Sequence, residues 1–226
     1  MSCINLDERL SSVANYVRNG KVVADIGTDH AYLPVFLIQN GICNKALACD
    51  INIAPLESAK KTVSQYNLNS QIELRLSNGL EKISENECDD IVIAGMGGDL
   101  IATILDNCNW VKSEKYNLIL NPMTKGEKLR LYLLNNGFSI INETAVISNN
   151  KRYSVINSQF SGNIKTDIPM SYLFCGELIK DNSQNALEYK KMVAIRLEKR
   201  LNGLRNSNTN MTEQNEIEQA IKEILN

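Results

Sequence analysis

Between Lys21 and Gly137 the chain repeats one unit: a short apolar run, a glycine or acidic residue at its end, then a longer stretch with helical spacing. The runs Lys21–Ile26, Ala46–Cys49, Ile91–Ala94 and Leu118–Leu120 read as strands, and Gln71–Leu76 alternates apolar and polar. Helical spacing follows at Leu33, Phe36 and Leu37, closed by Gly41, and at Leu56, Ala59, Val63 and Tyr66, opened by Pro55. Pro34 falls in a first helical turn, where its missing N–H costs little. Further helices are predicted over Asp99–Asp106 and Glu127–Leu134, and ahead of them all Leu6, Leu10, Val13, Ala14 and Val17 form an apolar stripe that Gly20 stops. Short strands alternating with helices mean βαβ units and a parallel sheet. Two longer strands, Phe138–Ile147 and Arg152–Phe160, joined through Asn149-Asn150, add an antiparallel closing strand. The prediction is a doubly wound, mostly parallel α/β unit over residues 1–162.

The pattern changes after Pro169. Leu187, Ala194, Leu197, Leu201 and Leu204 keep a seven-residue rhythm, and Ile217, Ala220, Ile221 and Ile224 make a second stripe. The polar turn Arg205–Thr212 between them predicts an antiparallel, coiled-coil-like helical hairpin within residues 163–226.

Charge limits the partners. The net charge of −2 argues against a generally sticky polyanion binder. Residues 1–150 carry 13 basic and 17 acidic side chains, whereas Lys180–Arg205 carries 7 against 3, so the tail is the place for any polyanion contact. The longest apolar run, Ala31–Ile38, is far short of the roughly 20 residues that span a bilayer. The opening residues MSCINLDERL lack a basic stretch followed by an apolar one, so no signal peptide and no membrane association are expected. Six cysteines without a C-x-x-C pair, beside a single histidine, predict no metal site and no disulfide framework, and fit a reducing cytoplasm. The oligomeric state is not legible, and a monomer is compatible with the sequence.

Ligands bind such sheets at the carboxyl ends of the strands, where strand order reverses. Four predicted ends carry unusual residues: Asp25, Gly27, Asp29 and His30; Asp50; Asn78 and Gly79 after Ser77; and Gly95, Met96 and Gly97 before Gly98. A carboxylate such as Asp50, 25 residues after Asp25, can take both hydroxyls of a ribose. Two cofactors compete. A dinucleotide needs G-x-G-x-x-G to seat its pyrophosphate, and that spacing is absent after Gly27, where Asp29 would repel phosphate. S-adenosylmethionine has no phosphate and carries a sulfonium and an ammonium, so Asp25, Asp29 and Asp50 favour it.

The segments VADIGTDHAYLP, ACDINIAPLESAKK, LSNGL, IVIAGMGG and LILNPMTKGEKLRLYLLNNGF resemble the bacterial tRNA (adenine-22 N1)-methyltransferase family, from about Leu6 through Phe160. The resemblance implies a Rossmann-like methyltransferase sheet and S-adenosylmethionine as methyl donor. It places Asp25, Gly27, Asp29 and His30 around the methionine moiety, Asp50 and Ile51 at the ribose, Asn78 and Gly79 at the adenine, and Gly95, Met96 and Gly97 beside the methyl group. It places Asn121 and Pro122 at the strand end facing the incoming base.

The implied reaction is methyl transfer to adenine N1, whose in-plane lone pair needs no general base. The enzyme flips the base out and excludes water. Asp29 is the candidate catalytic carboxylate, offsetting the positive charge that develops on the base. His30 or Tyr32 would stack on it. The resemblance also implies that the tail helps hold tRNA, through Lys190, Lys191, Arg196, Lys199, Arg200 and Arg205. Two alternatives stay open: the same cofactor serving a small molecule or protein amine, and a regulator that binds the cofactor without turnover.

Overall fold

A computed structural model describes residues 3–207 and 209–226. Met1 and Ser2, read above within the N-terminal stretch, and Asn208 of the polar turn lie outside the described residues. The strands are β1 (Val23–Ile26), β2 (Ala46–Asp50), β3 (Ile72–Leu76), β4 (Asp90–Gly97), β5 (Asn117–Thr124), β6 (Phe138–Ser148) and β7 (Lys151–Phe160). They form one sheet in the order β3-β2-β1-β4-β5-β7-β6, with β7 the antiparallel member. Chain direction across the sheet reverses between β1 and β4, which opens a crevice at their carboxyl ends.

Helices α1 (Glu8–Ala14), α2 (Tyr32–Gln39), α3 (Ile53–Gln65), α4 (Gly98–Asp106) and α5 (Gly126–Asn135) flank the sheet. All four residues of β1 are buried, which is why its sequence is continuously apolar apart from Asp25. Leu47, Ile91, Ile93 and Leu118 point into one apolar layer, and Val23, Ala46, Val92 and Ile119 into the other. The Asn149-Asn150 turn joins β6 to β7 as predicted. Both residues have positive φ, 49° and 59°, which asparagine tolerates in the tight turn of a hairpin. At the opposite end from the crevice, buried Asp90 accepts from the Arg18 backbone and guanidinium, so that carboxylate closes the floor of the fold.

Several boundaries depart from the sequence reading. α1 stops at Ala14, with Val17 in the following turn. β4 continues past the predicted end at Ala94 through Gly95-Met96-Gly97, bulged on both sides of Met96. β5 runs on through Asn121-Pro122 to Thr124, because Pro122 needs no ladder N–H where it pairs with the bulged Met96.

The C-terminal region holds α6 (Met170–Cys175), a 3-10 turn (Gly176–Lys180), α7 (Gln184–Asn206) and α8 (Met211–Leu225). Ser183 caps α7 by accepting from the Ala186 N–H, and Asn210 caps α8 by accepting from Glu213. Leu197 and Leu201 of α7 meet Ile217 and Ile224 of α8 in the predicted hairpin. α6 and the 3-10 turn were not predicted, because neither is long enough to show a period. They dock on the sheet unit through Arg130 of α5. Its guanidinium donates to both Glu143 oxygens, to the Leu173 and Phe174 carbonyls and to Ser154 Oγ.

Candidate active site

β1 delivers Asp25 into the crevice and then turns at Gly27, whose φ is +77°. That φ favours glycine, and the Met96 methyl lies where a Cβ would stand, so β4 closes over the turn. The Gly27 and Thr28 N–H groups both donate to the Cys49 carbonyl, pinning the loop to β2. His30 and Ala31 then adopt positive φ, 61° and 55°, two successive strained residues of the kind that cluster at functional sites. The strained turn lays His30 on Tyr32, with ring centroids 5.1 Å apart and planes 10° from parallel. His30 Nε2 also stands 3.4 Å from Asp29 Oδ1.

A cavity of about 280 Å³ opens here, lined by Arg9, Leu10, Asp25, Gly27, Asp29, Leu33, Ala94, Gly95 and Met123. Burial pushes the Asp25 carboxyl up to about 6; the nearby Thr28 hydroxyl opposes the shift, Asp50 adds to it, and Arg9 opposes it. Asp29 is exposed at the cavity rim. At the end of β2, Asp50 Oδ1 accepts from the Asn52 N–H at 2.7 Å. Ile51 lies open beside it, 60% exposed. The Ser77 N–H donates to the Asp50 carbonyl, joining the ends of β2 and β3. Asn78 is exposed there and donates to Glu81, while Gly79 is buried against Ile104.

A family pattern described as a methyltransferase domain matches residues 6–156. The tRNA (adenine(22)-N(1))-methyltransferase of Bacillus subtilis (strain 168) is 41% identical over 156 residues, 69% of this chain and 66% of that protein. The aligned segment thus spans just under two thirds of that curated relative's length. The crystal structure of the B. subtilis m1A22 tRNA methyltransferase superposes with a TM-score of 0.85 at 30% identity, over 99% of this chain and 100% of that one. A putative tRNA (m1A22) methyltransferase of Streptococcus pneumoniae, solved in complex with S-adenosyl-L-methionine, gives 0.84 at 33% identity over 98% and 100%.

The chain belongs to the tRNA (adenine-22 N1)-methyltransferase family. S-adenosylmethionine is the family's cofactor, and the residues present fit it. Asp25, Asp29 and Asp50 surround the crevice with negative charge, which suits an ammonium and a sulfonium and repels a pyrophosphate.

The chain gathers Asp25, Gly27, Asp29 and Gly95 around one cavity; Asp50 acts on Asp25 from the end of β2, while Asn78 lines a separate cavity beside Leu80 and Ile104. Several predicted positions come out differently. Asn121 does not face a base: it is fully buried, donates Nδ2 to the Ser154 carbonyl and accepts from Arg9 through Oδ1. Pro122 is buried behind it, and the neighbouring Met123 reaches the cavity instead. Gly98 serves packing, since a Cβ there would strike the Lys125 carbonyl. Lys190 is only 5% exposed and donates to the Ile179 carbonyl, which withdraws it from any RNA-facing surface. Lys191, Arg200 and Arg205 are exposed but paired with Glu188, Glu213 and Glu218. Arg9 and Met123 were missed. Met123 adjoins a strand end that the sequence marks, but Arg9 lies outside every motif, and only the packing of α1 brings it to the crevice.

Proposed function

We propose that this methyltransferase transfers a methyl group from S-adenosylmethionine to N1 of adenine 22 in tRNA. The observation that carries the reading is the position of the acidic cavity: Met123 lines both it and a neighbouring cleft that holds three basic side chains. That cleft runs between the β5 end and α7, and Lys125, Arg152 and Arg196 line it with Glu127; Lys125 is paired with Asp99 and Arg152 with Glu188, and Arg196 has no acidic partner among the described residues. A polyanion laid in the cleft brings its neighbouring nucleotide to the cavity mouth, an arrangement that a small-molecule or amine substrate does not call for.

S-adenosylmethionine, when bound, supplies an electrophilic methyl on a sulfonium sulfur. Asp50 would hold its ribose, Asn78 and the buried Gly79 backbone its adenine, and Asp25 its ammonium. Met96 closes over Gly27, and the bulged Gly95-Met96-Gly97 segment would stand beside the methyl group. The stacked His30–Tyr32 pair offers an aromatic face for the flipped base, and Asp29 at the rim offsets the charge that N1 methylation creates. No residue is needed to take a proton from N1. Residues 163–226 form the tRNA-contacting unit beside a catalytic unit of residues 1–162, and five buried free thiols suit a cytoplasmic setting.

Unmodified tRNA incubated with the protein and S-adenosylmethionine should yield 1-methyladenosine, mapped to position 22 by nucleoside and fragment mass spectrometry. Methylation of another position, or of none, refutes the assignment.

A further inference from the structure

We infer that Met123 is a wedge that helps lift the target adenine out of the tRNA stack and into the cavity. This role rests on the reading above and deepens it. Among the described residues, Met123 is the one that lines both the acidic cavity and the neighbouring cleft. A nucleotide whose phosphate lies in the cleft and whose base reacts in the cavity must pass this side chain. Of the residues around the cavity, only Asp29, Gly95 and Met123 are exposed, and the rest are buried or half-buried. The mouth thus carries one charge, one gap and one large apolar group. At the gap, a Cβ added to Gly95 would meet nothing within 4 Å, which leaves room for a flat ring.

The backbone under Met123 is held rigidly, and its side chain is the adaptable part. β5 is buried over its first six residues and opens to solvent at Met123, which is 37% exposed. Just before it, Asn121 donates to the Ser154 carbonyl at 2.9 Å and accepts from Arg9 at 3.0 Å. Pro122 pairs with Met96, and Thr124 pairs with Gly97. On that fixed base stands an unbranched side chain with three rotatable bonds and a polarisable sulfur, suited to contact with an aromatic ring. Apolar side chains of this kind part stacked bases in other nucleic-acid complexes. The thioether also brings no charge to a base that becomes cationic on methylation, unlike Lys125 and Arg196 in the cleft.

The test uses the full chain and two tRNA transcripts, one with adenine 22 paired and one whose opposing base is changed so that it cannot pair. Extrusion costs less from the second. In Met123→Ala the single-turnover rate of methyl transfer should fall ~10-fold on the paired transcript, and most of that loss should be recovered on the unpaired one. Met123→Leu keeps the apolar reach and should stay within about threefold on both. Affinity for S-adenosylhomocysteine, read by calorimetry, should stay within about twofold in both variants, which reports an intact cavity. Equal losses on the two transcripts, no loss on either, or a leucine variant as slow as the alanine one overturn the wedge. A fall in S-adenosylhomocysteine affinity that matches the fall in rate makes Met123 a wall of the cavity and overturns it as well. If the unaltered protein methylates neither transcript at adenine 22, the reading above fails and the wedge with it, whereas a negative result confined to the Met123 variants sinks the wedge alone.

Discussion

Asp25 is the residue whose chemistry the fold changes most. An unfolded aspartate titrates near 3.8, and burial raises this one to about 6. Between those values the folded chain holds the proton more tightly, so ionising Asp25 costs stability as pH rises through the window, by about 3 kcal/mol in full. Asp25→Asn removes that cost. The variant should match the unaltered protein near pH 4 and exceed it near pH 7, read by urea unfolding at both values. Ligand binding runs the other way, because an ammonium needs the ionised carboxylate. Affinity for S-adenosylhomocysteine should rise from pH 5 to pH 7 in the unaltered protein and flatten in Asp25→Asn. Asp50 and Arg9, the charged groups that act on Asp25, remain in both proteins, so a profile equally steep in both takes Asp25 out of contact with the ligand.

Helix α7 shows how an element sorts charges that look alike in sequence. Residues Met192, Arg196, Lys199 and Gly203 recur every three or four positions and so lie along one face. The face begins at the cleft beside the cavity and runs outward. Among the described residues, Arg196 and Lys199 have no acidic partner, whereas Lys191, Arg200 and Arg205 do. A cation already satisfied by a neighbouring glutamate gains less from a phosphate. Arg196→Ala and Lys199→Ala should therefore weaken tRNA binding and lower the slope of log affinity against log salt by roughly 0.7–0.9 each. Arg200→Ala and Arg205→Ala should leave the slope near its starting value. The reverse ranking in filter-binding titrations would remove this face from the tRNA interface.

At the scale of the molecule, a buried polar chain connects the crevice with the C-terminal helices. Arg9 meets Asn121, Asn121 meets the Ser154 carbonyl, Ser154 Oγ meets Arg130, and Arg130 meets Glu143 and the last carbonyls of α6. Arg130 and Glu143 side chains are both fully buried. Burial works against the guanidinium charge, and the Glu143 carboxylate outweighs it, so Arg130 stays ionised. Removing one partner strands the other charge. Arg130→Ala should cost about 3–5 kcal/mol in denaturant unfolding, while Arg130→Met with Glu143→Leu should cost clearly less. A double variant as unstable as the single one would show that the carbonyl contacts to α6, more than the ion pair, hold the helices to the sheet.

The alternating pattern alone determined the doubly wound sheet, its closing hairpin and the helical tail, because hydrophobic periodicity is a local property that each element carries in its own residues. The acids and glycines at Asp25, Gly27, Asp29, Asp50 and Gly95 were legible for the same reason: strand ends are local, and ligands gather there. Packing decided what periodicity cannot express. Arg9 reaches the crevice only because α1 folds across β5, Asn121 turns inward because β5 runs one turn of the pleat further than its apolar run, and Lys190 is lost to the 3-10 turn beneath it. A charge's role depends on which distant atoms surround it, and those neighbours exist only once the chain has folded.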